Sequence, residues 1–430
     1  MAKNIARKVP EIRFEGHTEE WEEKTLGELF PITSAARVHK HEWTESGIPF
    51  FRSSDVVSAF KGKENTKAFI SNELYWELSA KVGRVQTGDM LVTGGGSIGI
   101  PYLVHTDDPL YFKDADLLWF KIRGAVDSSF LYAFFSSPLF DRYVKNISHI
   151  GTIAHYTVEQ AKKTPLVVSS KSAEQTKIGT YFIKLERLIE LHQHKHNKLV
   201  TLKQTMLQKI FPKNSATTPE IRFKGFAGDW SVTRLGDITL PLSNNTLSRE
   251  NLNKKSGLAR NIHYGDILVW LGEVIDVNRI ELPFITDSLL VTKLQSSKLR
   301  DGDIIIADAA EDFTVGKTTE ILNVASELVF AGLHTIALRP TISFAPAYLG
   351  YFMNSHSFHD QLLPIMQGTK VLSVSKTALK EMYLLYPNEL EEQQKIGNYF
   401  RKLDVLISQH AIQLDKLKQI KSACLEKMFV

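Results

Sequence analysis

The chain has 430 residues, enough for two or three domains, with 43% apolar and 23% charged residues. That balance belongs to ordinary globular proteins and excludes a disordered, fibrous or disulfide-rich class. The formal net charge of +4 permits nucleic-acid binding without requiring it.

The first segment, residues 1–16, opens with Lys3, Arg7 and Lys8 but has no apolar stretch behind them, so it does not read as a secretory signal. No window approaches roughly 18 uninterrupted apolar residues, and no membrane span is expected. Cys424 is the single cysteine. One thiol makes neither an internal disulfide nor a cysteine-based zinc site, so a reducing, cytoplasmic compartment is expected.

Residues 17–165 mix short apolar runs with turns and short helices, which predicts a mixed α/β domain. Gly88-Asp89-Met90-Leu91-Val92 reads as a turn entering a buried strand, and Phe130 to Phe140 as an aromatic-faced helix. Gly95-Gly96-Ser97-Ile98-Gly99 fits the G-x-S-x-G nucleophile pattern. That elbow needs a helix directly after it, whereas Pro101 and the run Ile100 to Val104 point to a strand, so a glycine-rich turn is the better reading.

Residues 166–212 form the first helical spacer. Glu174 to Phe211 contains no proline and carries a heptad pattern. The a positions are Ile178, Leu185, His192, Leu199 and Met206; the d positions are Phe182, Ile189, His196, Lys203 and Ile210. At a rise of about 1.5 Å per residue this segment is roughly 57 Å long. His192 and His196 have the spacing of a helical metal pair, but no third ligand is evident. A polar contact that sets register is the preferred reading.

After a linker at residues 213–225 the chain begins again. Pro10-Glu11-Ile12-Arg13-Phe14 recurs as Pro219-Glu220-Ile221-Arg222-Phe223, an offset of 209. Trp21 matches Trp230, and Leu26-Gly27 matches Leu235-Gly236. Residues 226–387 form a second mixed α/β segment. Here Gly265-Asp266-Ile267-Leu268-Val269 and Gly302-Asp303-Ile304-Ile305-Ile306 read as turns entering strands, and Ala347 to Phe358 as an aromatic-faced helix. Gly316-Lys317-Thr318 resembles the end of a phosphate loop, but Glu311 stands where its first glycine would be.

The last segment, residues 388–430, repeats the first spacer. Glu174-Gln175 and Lys177-Ile178-Gly179 match Glu392-Gln393 and Lys395-Ile396-Gly397 at an offset of 218, and the match runs without a gap to Phe211 and Phe429. Its seam is Ile396, Leu403, His410, Leu417 and Cys424 at a, with Phe400, Ile407, Leu414, Lys421 and Met428 at d. The order is variable, constant, variable, constant, and the two offsets differ by nine residues. A repeat this long is a duplicated domain with its connector, not a solenoid unit. The economical arrangement pairs the two helices within one chain. The alternative packs each on its own domain or on another chain.

No Asn-Pro-Pro-aromatic tetrad is present, and the charged residues do not condense into a nuclease or metal cluster. A binding role is favoured over a self-contained enzyme with duplicated domains, or a coiled-coil scaffold without DNA. Candidate DNA contacts are His39, Lys40, His41, Arg52, Lys61, Lys63 and Lys67 in the first domain. In the second they are Arg249, Lys254, Lys255, Arg260 and Lys370. Lysine and arginine neutralise phosphate, and arginine also reads guanine. The turns at Gly151-Thr152 and Gly368-Thr369-Lys370 hold the same place in both halves.

These features resemble the specificity subunits of type I restriction–modification systems. The carrying residues are the two P-E-I-R-F motifs with Trp21 and Trp230, Gly47-Ile48-Pro49-Phe50-Phe51-Arg52, Gly88-Asp89, Gly302-Asp303, Gly332-Leu333-His334-Thr335 and the two matched helices. The resemblance covers essentially the whole chain. It implies an α/β (α+β) fold class: two mixed α/β target recognition domains joined by two long antiparallel coiled-coil helices, with pseudo-twofold duplication. It implies a non-catalytic, sequence-specific DNA-binding subunit of a prokaryotic cytoplasmic complex. Each domain would read one half of a bipartite, gapped target in double-stranded DNA. The helices would set the gap, at most about 16–17 base pairs, and dock two methyltransferase subunits. Restriction subunits, acting as endonuclease and translocase, would join them. S-adenosylmethionine, ATP and Mg are expected on those partners, with no cofactor on this chain.

Overall fold

The computed structural model describes residues 8–148, 155–213 and 216–430. The Gly151-Thr152 turn lies outside the described residues. Contacts divide the chain into two units: Met1–His194 with His410–Val430, and Lys195–Gln409. Each unit therefore owns one α/β domain and half of each long helix.

In the first unit a four-stranded antiparallel sheet has the order Ile32–Thr33, Leu117–Phe120, Met90–Thr93, Pro101–Leu103. Its strands face two cores, because side chains alternate across a sheet. Met90, Val92, Leu118 and Phe120 face the helices Ser128–Phe135 and Pro138–Ser148 and the long helix. Leu91, Leu117 and Trp119 pack the other way, against Val56, Leu110 and Phe112. A second four-stranded sheet orders Trp43–Thr44, Ala68–Ile70, Ile48–Phe51 and Tyr111–Phe112, covered by the helix Asn72–Val82 through Tyr75 and Leu78.

The second unit repeats this layering. Its main sheet orders Thr239–Leu242, Thr335–Pro340, Ile304–Ala307, Thr318–Leu322 and Val274–Asp276. Ile304 and Ile306 face the helical side, and Ile305 and Ala307 the opposite core. A three-stranded sheet, Phe284–Ile285, Ala259–Ile262 and Val329–Ala331, lies outside it.

Each domain is closed by an antiparallel two-stranded ribbon joining its first and last strands. Glu22–Thr25 pairs with Pro165–Val168, and Ser231–Arg234 with Tyr383–Tyr386. The register is the same in both: Glu22 faces Val168 and Ser231 faces Tyr386. The leading strands are related by the first sequence offset and the closing strands by the second. The nine extra residues of the second domain are thus taken up between its ribbon strands.

The long helices are Ser172–Ile210 and Leu390–Lys427. Within the first unit Lys421 donates to Glu186 at 2.7 Å, Tyr181 meets Cys424 at 3.5 Å, and the Phe182 and Phe429 rings lie 6.0 Å apart. Within the second, Lys203 reaches Asp404 at 2.6 Å, and Phe211 stacks on Phe400 at 5.8 Å. In both, residue numbers rise along one helix as they fall along the other, so the pair is antiparallel. The first turns of each helix also enter a domain core, through Ile178, Phe182 and Leu185 in one and Ile396, Phe400 and Leu403 in the other. The seam is thus shared between helix pairing and domain packing.

Three sequence expectations are corrected. Gly265 to Val269 is not a strand but part of the helix Tyr264–Val269. A capping arrangement starts it: His263 accepts from Gly265 N at 3.2 Å, and the Asp266 carboxylate accepts from His263 N at 3.1 Å. The two aromatic-faced helices are each broken in two. Ser137 caps the second piece by accepting from Phe140 N at 3.3 Å, with Pro138 as its first residue. In the other half the break falls between Tyr348–Met353 and His356–Leu362, where Asn354 turns back to donate to Thr318 O and Gly350 O, both at 2.7 Å. Among the described residues no helix is long and apolar enough to cross a membrane.

Candidate nucleic-acid interface

The repeated motifs meet at the joint between each domain and its helix. Arg13 grips Glu174 with two bonds, Nε at 2.5 Å and Nη2 at 2.9 Å, and Trp21 Nε1 adds a third at 3.1 Å. Arg222 holds Glu392 likewise, at 2.7 and 2.8 Å. The neighbouring glutamines bind backbone. Gln175 accepts from Asp127 N at 2.8 Å and donates to Ser169 O at 2.7 Å; Gln393 accepts from Ala345 N at 2.9 Å and donates to Pro387 O at 2.8 Å. Burial pushes the Glu174 carboxyl up, but bonds from Arg13, Ser169 and Trp21 outweigh it and hold it below the usual carboxylate range. Gly179 and Gly397 let the helix approach: a Cβ at Gly179 would stand 2.5 Å from Phe130 N, and one at Gly397 2.7 Å from Pro346 O. Each P-E-I-R-F segment also touches the end of the other helix, Ile12 N donating to Lys427 O at 3.1 Å and Ile221 N to Lys209 O at 2.9 Å.

The first-domain candidates divide into exposed and engaged groups. His39, Lys40 and His41 are exposed on the short turn Lys40–Glu42, with the two imidazoles stacked at 5.5 Å. Lys61, Lys63 and Lys67 are exposed beyond the helix Ser53–Phe60. Lys63 and Lys67 line one cleft with Phe51, Glu64 and Tyr102. Arg52 is engaged internally: it pairs with Asp55 at 2.8 and 3.1 Å, donates to Thr66 O and lies over the Trp43 ring.

In the second domain Arg249, Lys254 and Arg260 share a cleft of about 380 Å³ with Asp266, Trp270 and Phe284. Arg249 pairs with Asp266 at 2.9 Å while remaining 56% exposed. Arg260 is engaged, held by Glu327 at 2.9 Å and by Ile280 O at 3.1 Å. Lys255 is exposed outside that cleft, and Lys370 is exposed in a tight turn flanked by the Gln367–Ser373 bridge. Burial, with Arg249 beside it, holds His263 below the usual imidazole range.

On the helices, Ile178, Phe182, Leu185, Ile396, Phe400, Leu403 and Leu414 are buried, and Ile189, Leu199, Ile407 and Leu417 half-buried. His192 and His410 meet Nδ1 to Nδ1 at 2.9 Å. One ring must donate and the other accept, which makes the contact specific to one register. His196 instead turns toward Asn197 at 3.4 Å. Among the described residues no three His, Cys, Asp or Glu side chains are placed to hold a metal ion.

Charge-based reading overlooks exposed apolar groups. Phe313 is 69% exposed, Trp270 46% and Val371 51%. Phe313 follows Glu311 and Asp312 and precedes Thr314. A lone ring within a short polar run is the one sequence signal that marks it.

Duplicated α/β domains mounted on paired long helices define the architectural class of this chain. The family model of the type I restriction modification DNA specificity domain matches residues 18–201. A Haemophilus influenzae protein described as a type I restriction enzyme specificity subunit is 28% identical over 165 residues. That match covers 38% of this chain and 40% of the relative, so it spans about two fifths of the relative's length. The S subunit of a type I restriction-modification system from M. genitalium aligns over 98% of this chain and 99% of its own, with 15% identity and a TM-score of 0.55, which shows a common fold. The HsdS subunit of Thermoanaerobacter tengcongensis aligns over 95% and 96%, with 18% identity and a TM-score of 0.44. Residues 18–201 thus resemble the type I restriction modification DNA specificity domain, and the chain as a whole shares the fold of the M. genitalium S subunit.

Proposed function

We propose that this chain is a non-catalytic DNA-reading subunit in which each domain recognises one half of a bipartite, gapped duplex target. The observation that carries the reading is the pair of like-built joints on unlike domains. Arg13, Trp21, Glu174 and Gln175 recur as Arg222, Trp230, Glu392 and Gln393, whereas the intervening domains differ in length and loops. A fixed mount with a varied head suits two readers held at a set separation. The exposed side chains His39, Lys40, His41, Lys61, Lys63 and Lys67 supply phosphate contacts in one domain, and Arg249, Lys254, Lys255 and Lys370 in the other. Arg52 and Arg260 serve mainly to brace their domains. The paired helices set the gap and present the docking surface for two methyltransferase subunits, which restriction subunits then join. S-adenosylmethionine, ATP and Mg belong to those partners.

The test lengthens both helices together. Seven residues inserted beside His192 and seven beside His410 keep the seam in phase and add about 10 Å. Mapping of methylated adenines in cells carrying the partner subunits should show both half-sites unchanged and the gap about three base pairs longer. An unchanged gap refutes the spacer role.

A further inference from the structure

The two domains build one edge on the same backbone frame and fill it differently. In the first, Gly99 N donates to Thr93 O at 2.7 Å, Gly94 N to Asp116 O at 2.8 Å, and Tyr156 N to Gly94 O at 2.8 Å. In the second, Gly316 N donates to Ala307 O at 2.9 Å, Asp308 N to His334 O at 3.1 Å, and Val374 N to Asp308 O at 2.9 Å. Both loops end on a glycine with positive φ, 79° at Gly99 and 86° at Gly316. Inside the frame the first domain has four small or apolar residues, Gly95 to Ile98; the second has seven residues of mixed character, Ala309 to Val315, with Glu311 and Asp312 among them.

The longer loop carries the exposed Phe313. Asp312 is spent on shaping the turn, accepting from Thr314 N at 2.9 Å and from the Thr314 hydroxyl. The strand Ala309–Ala310 pairs with Leu372–Ser373, which places the exposed Lys370 and Val371 beside it. His334, at φ 53°, closes the group by pairing with Asp308 at 3.3 Å. Lys376 acts electrostatically on the same Asp308. An exposed ring on a loop whose paired strand follows an exposed lysine fits the edge of duplex DNA: cations take phosphates while the apolar group meets the bases.

We propose that the loop Ala309–Val315, with Phe313 at its exposed position, is the element that determines which bases the second domain reads. The proposal rests on the DNA-reading role above and assigns one half-site to one loop. A shared frame with an interchangeable insert explains how two domains with one fold read different sequences. Glu311, exposed in the same loop, suits acceptance from a cytosine amino group.

The test selects bound duplexes from a random-sequence pool with the full chain. Three variants are compared: F313A; a chain whose residues 309–315 are replaced by the sequence of 95–98; and L289A, an exposed leucine outside this edge. The wild type and L289A should select the same two-part motif. The loop replacement should relax one part and leave the other intact, and F313A should weaken binding to the wild-type duplex about tenfold. The proposal is overturned if F313A and the loop replacement both keep the full motif, or if both half-sites relax together. A wild-type chain that selects no motif would overturn the DNA-reading role itself. F313A changes a solvent-exposed side chain, so it keeps the test open if the loop replacement does not fold.

Discussion

Gly179→Ala is expected to destabilise the first unit even though alanine is the better helix former. At an unhindered helix position the substitution would gain about 1 kcal/mol. At Gly179 the added Cβ would overlap the Ser129 hydroxyl and stand 2.5 Å from Phe130 N and 2.7 Å from Ser129 C. The hydroxyl can rotate away, but the backbone atoms cannot. Restoring ordinary contact requires the two helices to part by about 1 Å. That opens the packing of Ile178 and Phe182 within the cluster holding Phe130 and Leu131. Overpacking of this kind costs about 1–3 kcal/mol beyond the gain in propensity. The matching Gly397→Ala meets only Pro346 O below 3.4 Å and should cost less. Urea unfolding of the full chain, with hydrogen exchange at Phe130 to Phe134 as the local readout, gives the order: Gly179→Ala least stable, then Gly397→Ala, then wild type. A Gly179→Ala chain as stable as wild type would refute the close-approach argument.

Two further outcomes concern buried carboxylates whose pH effects have opposite sign. Arg13→Ala leaves Glu174 buried without its bidentate partner and should cost about 3–5 kcal/mol, with Arg13→Ala/Glu174→Ala losing less than the two single changes together. Because Glu174 titrates below its unfolded value, its contribution is present above the usual carboxylate pKa and fades as pH falls; Glu174→Gln should remove that acid limb from the unfolding curve. Glu320 behaves the other way. Burial raises it to about 7, although it accepts from Ala347 N at 2.7 Å and Gly350 N at 2.8 Å. The folded state therefore keeps a proton that the unfolded chain releases near pH 4.5, and stability should fall by about 3 kcal/mol as pH rises from 4.5 to 7. Glu320→Gln should flatten that slope, and an unchanged slope in thermal melts would refute the assignment.

The duplication and the long helices were legible because each is a periodic signal. A fixed offset needs no knowledge of contacts, and the seam from Ile178 to Ile210 repeats every seven residues. The joint was legible only as a motif: Arg13 and Glu174 are 161 residues apart, and their pairing has no local sign. The strand Ile304–Ala307 is buried on both faces and lacks the alternation of a one-sided strand, yet it was legible as an apolar run behind the Gly302-Asp303 turn. Gly265-Asp266 looked like the turn at Gly302-Asp303, yet His263 makes it a helix start. Charge alone ranked Arg52 and Arg260 with the lysines, because Asp55 and Glu327 become their partners only once the chain is folded.

The contact of Ile12 with Lys427 repeats that of Ile221 with Lys209, where the chain runs on covalently through the linker. In terms of connectivity the chain is close to a ring of two like arcs that has been opened at one of two equivalent places. A permuted chain, joined by a short peptide from Val430 to Lys8 and opened between Lys213 and Thr217, should reach the same fold with its domains in reversed order. Which domain comes first would then be an accident of where the ring was cut.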